Sequence, residues 1–101
     1  MPAAKFRLTT MPRADQEVRD LLRRAASLGI TKELIDALKA VTSHLRMKPT
    51  EIGDPARRTR KQGGMVYSLV VEPVFIQYAV FEREKTVFLL DVKPLSRFFP
   101  E

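Results

Sequence analysis

The sequence predicts an α+β fold, a two-layer sandwich with an N-terminal strand and a helical hairpin packed on an antiparallel sheet in the order βααβββ. Three observations predict it. Two stretches with apolar residues at helical spacing are joined only by Gly29 and Ile30, which leaves room for nothing but a tight hairpin. Three alternating runs, Met65–Val71, Phe75–Glu82 and Thr86–Val92, are separated by a break at Glu72-Pro73 and by the charged turn Glu82-Arg83-Glu84-Lys85. Gaps this short admit hairpins alone, so the runs form a meander. Alternation over Lys5–Thr10 supplies the first strand.

Met11-Pro12 breaks that strand, and Pro12 suits the first position of a helix, where its missing N–H costs nothing. Asp15 and Glu17 complement the positive end of the helix dipole. Val18, Leu21, Leu22, Ala25 and Leu28 share one face, and Gly29 provides a left-handed stop. Thr31 is a good N-cap for the second helix, whose stripe is Leu34, Ile35, Leu38, Val41 and Leu45, and Pro49 ends it. Between Pro49 and Gly64 lie two prolines, three glycines and four basic side chains, the composition of a loop.

At 101 residues the chain is expected to form a single domain over residues 1–101. Hydrophobic residues make up 45% and charged residues 30%, which argues against disorder. Having no cysteine, it has neither disulfides nor thiol chemistry. No apolar run approaches a membrane span and the first residues lack a secretory pattern, so a cytoplasmic protein with no membrane partner is expected. Eighteen Lys and Arg against twelve Asp and Glu leave a net charge of +6, which favours polyanionic partners such as RNA or the ribosome.

In its element order and in several local patterns the chain resembles the RelE/ParE toxin superfamily of bacterial toxin–antitoxin systems. The patterns are Leu45-x3-Pro49-x3-Gly53-Asp54-Pro55, Tyr67-Ser68-Leu69, Ile76-Gln77-Tyr78-Ala79-Val80 and Val87-Phe88-Leu89-Leu90-Asp91-Val92. The resemblance implies a small cytoplasmic protein neutralised by an antitoxin that lays an extended or helical segment across it. It also implies one of two activities, ribosome-dependent mRNA cleavage in RelE-like members or gyrase poisoning in ParE-like members. Departures from the RelE pattern bear on which. Where RelE-like nucleases carry basic side chains on the second strand of the sheet, this chain has Ser68 and Val70. Where they place an arginine before the third strand, it has Phe75. After the last strand it has Lys93-Pro94-Leu95-Ser96-Arg97-Phe98-Phe99, with bases but no tyrosine. Attack by a 2′-hydroxyl needs a proton acceptor, a proton donor and cations for the developing charge. No catalytic residue is therefore assigned, and no RelE-type nuclease is expected.

Alternation divides the three runs into two faces. Tyr67, Leu69, Val71, Ile76, Tyr78, Val80, Phe88, Leu90 and Val92 are expected to meet the helices. Ser68, Val70, Phe75, Gln77, Ala79, Phe81, Val87, Leu89 and Asp91 form the opposite, outer face. An outer face so apolar marks either a protein contact or a surface that the Leu95–Phe99 tail folds over. The candidate partner residues are Val70, Phe75, Gln77, Phe81 and Leu89, with an antitoxin or a second copy as the partner. Candidate nucleic-acid contacts are Arg57, Arg58, Arg60, Lys61, Lys93 and Arg97. No aromatic side chain interleaves with the Arg57–Lys61 cluster, so stacking of single-stranded bases is unsupported there. His44, Tyr67 and Tyr78 read as structural, and Glu51 with Asp54 is too small a ligand set for a metal; no metal or cofactor is expected.

These readings converge on a toxin-family protein that acts by binding a protein partner rather than by cutting RNA. The alternatives are a non-toxic adaptor or dimerisation module of the same fold, and an RNA- or ribosome-binding protein that uses the basic loop.

Overall fold

The computed structural model describes residues 5–60 and 63–100, and all structural statements concern these. The elements follow the order β1 (Arg7–Thr10), α1 (Pro12–Leu28), α2 (Thr31–Met47), β2 (Asp54–Arg58), β3 (Met65–Val71), β4 (Val74–Phe81) and β5 (Thr86–Pro94). Together they make two helices on one face of a five-stranded sheet ordered β1-β5-β4-β3-β2. The α+β architecture is as the sequence predicts, with two differences. The segment expected to be all loop contains β2, which pairs antiparallel with β3 at the sheet edge. The sheet is mixed, because β1 runs parallel to β5. Residues far apart in sequence face no hairpin constraint, and β1 reaches β5 through the whole intervening chain.

The helices start and stop for local reasons. Pro12 opens α1, and Gly29 closes it at φ 73°, the left-handed region that glycine enters without steric cost. The Ile30 N–H then donates to the Ala25 carbonyl at 3.0 Å, completing a left-handed cap. Ile30 rather than Thr31 is the N-cap of α2, and its carbonyl accepts the Leu34 N–H at 3.1 Å. The tight cap of α1 hands the chain over in one residue, and the apolar Ile30 side chain packs on the core instead of capping. Leu21, Ala25, Leu34, Val41 and Leu45 are buried against the sheet, whereas Leu28 and Ile35 remain exposed at the hairpin end. Each fully buried leucine contributes roughly 1.5–3 kcal/mol relative to an exposed one.

Tyr78, at the centre of β4, joins the layers. Its ring stacks on Tyr67 with centroids 5.5 Å apart, and its hydroxyl donates to the Pro49 carbonyl at 2.7 Å. That bond ties the exit of α2 to the middle of the sheet. Gly53 passes so close that a Cβ there would run into the Tyr78 hydroxyl and come within 2.9 Å of the Ser68 carbonyl oxygen.

The face assignment changes along β5. Gln77 stands opposite Asp91 but Tyr78 stands opposite Leu89, so Leu90 is an extra residue, a β-bulge. On the N-terminal side of the bulge, Val87 and Leu89 join Tyr78 and Val80 in the helix-facing core, and beyond it Val92 joins Ile76. Phe88 and Leu90 turn outward onto Val66, Ala79 and Phe81. The expected positions of Val87, Phe88, Leu89 and Leu90 are thus reversed. Strict alternation through four consecutive apolar residues carries no sign of the slip.

The bulge sits where β1 stops. β1 pairs with β5 only as far as Leu89, whose carbonyl accepts the Met11 N–H at 3.0 Å. From there the edge of β5 is met by α1: the Val92 N–H donates to Glu17 Oε1 at 3.0 Å. Glu17 also pairs with Lys93, and Arg13 lies 3.3 Å from Asp91.

The C-terminal tail takes the helix side. Leu95 N–H donates to the Pro73 carbonyl at 3.1 Å, and Phe99 is buried in the core with its carbonyl accepting from Arg24 at 3.2 Å. The guanidinium of Arg24 also lies 5.2 Å from the centroid of the Phe99 ring. Among the described residues the tail does not cover the outer face.

Two outcomes test this arrangement. Leu89→Ala should cost about 2–4 kcal/mol in urea unfolding, and Leu90→Ala about 1 kcal/mol or less, since Leu90 is only half-buried on the outer face. Equal losses would contradict the bulge. Burial, with Tyr67 and Asp54 nearby, pushes the Tyr78 hydroxyl up to about 12 from 10.0. The unfolded chain therefore releases this proton first as pH rises. The stabilisation is complete below pH 10 and is lost towards pH 12. Tyr78→Phe should remove that part of the alkaline dependence, and it should cost about 1–2 kcal/mol at neutral pH by stranding the Pro49 carbonyl.

Candidate functional site

The outer face of the sheet is not flat. Across one end of it runs a groove of about 650 Å³, with an apolar floor and a basic rim. Val66 of β3, Ala79 and Phe81 of β4, and Phe88 and Leu90 of β5 make the floor, with Met11 at one side. Phe81 and Phe88 meet edge to face, their centroids 5.7 Å apart and their planes at 88°. Arg57, Arg58, Thr59 and Arg60 line one margin, Glu84 belongs to the turn between β4 and β5, and Thr86 opens β5.

Each part of the groove has a local cause. The bulge at Leu90 brings Phe88 and Leu90 to the floor. A second irregularity, between Pro55 and Arg57, interrupts the pairing of β2 with β3. Such bulges increase the local twist of an edge strand, and the residues that follow this one line the groove in succession. The Thr59 N–H donates to the Gly64 carbonyl at 3.1 Å, folding the chain back over the floor. Gly64 is pressed onto Phe81: a Cβ there would lie 2.6 Å from the ring and 2.5 Å from Thr59 Oγ1.

The rim is electrostatically one-sided. Arg57, Arg58 and Arg60 share the groove with one carboxylate among the described lining residues, Glu84. Among the described residues the ion pairs engage Arg13, Arg19, Arg23, Lys32, Lys93 and Arg97, and none engages the three rim arginines. A guanidinium cannot act as a base. No His, Lys, Tyr or Cys among the described residues lines the groove, and Glu84 is the one described lining side chain able to take up a proton.

The sequence candidates separate accordingly. Arg57, Arg58 and Arg60 share the groove with Phe81. Lys61 lies outside the described residues. Lys93 is held by Glu17, while Arg97 pairs with Glu72 and lies over the Phe98 ring; neither lines the groove. Val70, Phe75 and Gln77 are on the outer face but beyond the groove: Val70 pairs with Phe75, and Phe75 lies opposite Lys93. Val70 is 55% exposed. Leu89 is not on this face at all; it is a core residue at 8% exposure, placed there by the bulge. Val66 could have been found by continuing the alternation back from Ser68. Phe88 and Leu90 could not, because the run around them is apolar throughout. Met11 gave no signal beyond a strand break. His44 lies on the helix layer, Tyr67 and Tyr78 are in the core, and the described residues contain no group of three or more metal-ligating side chains.

No protein-family model matches the sequence, and no curated protein matches it. Solved structures do. The chain is similar to one in the toxin–antitoxin complex RelBE2 from Mycobacterium tuberculosis, at 18% identity and a TM-score of 0.67, covering 92% of this chain and 94% of that one. It is similar to a chain of the archaeal RelE–RelB complex from Pyrococcus horikoshii OT3, at 15% identity and 0.61, covering 91% and 97%. A chain of the chromosomal ParDE system from P. aeruginosa aligns at 14% identity and 0.63, covering 89% and 96%. This protein therefore has the RelE/ParE-like toxin fold. No helix among the described residues is long and apolar enough to cross a membrane.

Gly64→Ala should force the Phe81 ring and the Thr59 turn apart. The expected cost is about 1–3 kcal/mol, read as a lowered thermal midpoint. An unchanged midpoint would show that the rim does not rest on the floor.

Proposed function

We propose that this protein is the toxin-type member of a toxin–antitoxin pair and that it acts by capturing a protein on the outer face of its sheet, without RelE-type cleavage of mRNA. One observation carries the reading: the face left open by the helices and the tail is apolar, and its groove offers arginines and a single carboxylate. A nuclease of the RelE kind must take a proton from a 2′-hydroxyl and return one to the leaving oxygen. Glu84, on a turn at the rim, could do the first, and among the described residues that line the groove none is suited to the second. The similarity to chains from RelBE and ParDE systems supports an antitoxin as the natural neutralising partner.

A specific observation favours a second reading. Three arginines without carboxylate partners, set along one groove, suit a phosphate backbone as well as they suit carboxylates. RNA binding without cleavage is the form this reading takes.

Expression from an inducible promoter separates the outcomes. Growth arrest, relieved by co-expression of a cognate antitoxin, is expected, with no cleavage of ribosome-bound mRNA in primer extension. Normal growth at high expression would favour the non-toxic module of the same fold. Arrest accompanied by cleavage would overturn the absence of nuclease activity.

A further inference from the structure

The basic loop and the apolar outer face, separate in the sequence, are the rim and floor of one groove. We infer that the occupant of this groove is an acidic protein segment that inserts aliphatic side chains between Arg57, Arg58 and Arg60 on one side and Phe88 and Leu90 on the other. The inference rests on the protein-capture reading above and specifies the chemistry of what is captured.

Three features select that chemistry. The rim supplies unpaired guanidinium groups, whose planar forks match carboxylates two bonds at a time. The floor, made of Val66, Ala79, Phe81, Phe88 and Leu90, has nothing polar to satisfy and favours aliphatic groups. Its two aromatic rings are turned edge to face against each other, so they do not form an open stacking platform for bases. That distinguishes a peptide from a single-stranded nucleic acid. A second copy of this chain is disfavoured on charge, because symmetric pairing of the groove would set three arginines against three.

The size is consistent with a short segment. Strands in a sheet lie about 4.8 Å apart, so a floor spanning β3, β4 and β5 is roughly 10 Å across, room for two or three side chains. The open volume of about 650 Å³ accommodates them together with their backbone. Glu84, in the β4–β5 turn, also lines the groove and sets a limit, since a segment acidic along its whole length would meet it. Carboxylates are therefore wanted on the arginine side only.

Fluorescence anisotropy on the full chain tests this with three labelled probes: a peptide alternating aspartate and leucine, a peptide alternating aspartate and serine, and a single-stranded RNA of equal charge. At physiological salt the aspartate–leucine peptide should bind about tenfold or more tighter than the aspartate–serine peptide. Replacing all three rim residues (Arg57→Glu, Arg58→Glu and Arg60→Glu) should weaken it about tenfold or more. These side chains are exposed, and circular dichroism should show an unaltered fold. Equal binding of the two peptides would remove the aliphatic anchor, and indifference to the triple substitution would remove the groove. Preferential binding of RNA, abolished by the substitution, would replace a peptide occupant with a nucleic acid. Growth arrest without aspartate–leucine binding would overturn this inference and leave the toxin reading standing. Peptide binding without growth arrest would support the groove's chemistry and overturn the toxin reading.

Discussion

One extra residue in β5 decides what both faces of the sheet do. With Leu90 inserted, Val87 and Leu89 complete the core beneath the helices, while Phe88 and Leu90 join Phe81 on the other side. Without it, every side chain from Thr86 to Leu90 would change faces. The core would gain a phenylalanine in place of a valine, and the groove would lose Phe88 and Leu90 from its floor. The insertion is placed where β1 ends and α1 takes over. Glu17 satisfies the Val92 N–H that no strand reaches, an obligation any edge amide must meet once it is shielded from water.

The helix-facing side of the sheet is covered. α1 and α2 cover the centre of the sheet, and the tail brings Phe99 into the same core, held by Arg24. The Tyr78 hydroxyl fastens the end of α2 at Pro49, and Gly53 lets the chain pass close beside it. This fixes where β2 begins, and β2 carries the basic rim. A hydrogen bond in the core therefore contributes to the position of arginines on the surface. Among the described residues neither helix nor tail reaches the opposite face, and its apolar residues line the groove and include the exposed Val70.

Binding and catalysis make different demands on such a surface. Binding asks for shape, apolar area and charge of one sign, all of which can be supplied by groups with no useful protonation change. Acid–base cleavage asks for a donor and an acceptor within reach of the same phosphate. Arginines and apolar side chains meet the first demand, and among the described lining residues Glu84 is the one carboxylate. The RelE/ParE-like fold is compatible with either, because a fold positions a site without choosing its chemistry.

Much of the architecture was legible because local physics leaves few choices. Pro12 and Gly29 bound a helix, Gly29-Ile30 allows only a hairpin, and the gap at Glu82–Lys85 allows only an antiparallel turn. Two periods, 3.6 and 2, locate the helices and four of the five strands. β2 was hidden because Asp54–Arg58 contains a proline and two arginines and forms a ladder only against β3, an edge pairing that a linear pattern does not announce. The direction of β1 was equally undetermined, since its partner lies at the other end of the chain. The sequence by itself determined the two helices, four of the five strands, the hairpins and the presence of an apolar outer face and a basic loop. Only the tertiary structure decided which apolar residues occupy that face and that the loop borders it. A run such as Val87-Phe88-Leu89-Leu90 is equally apolar in either register, and the choice between registers is made by β1, Glu17 and the packing of the helices, all distant in sequence.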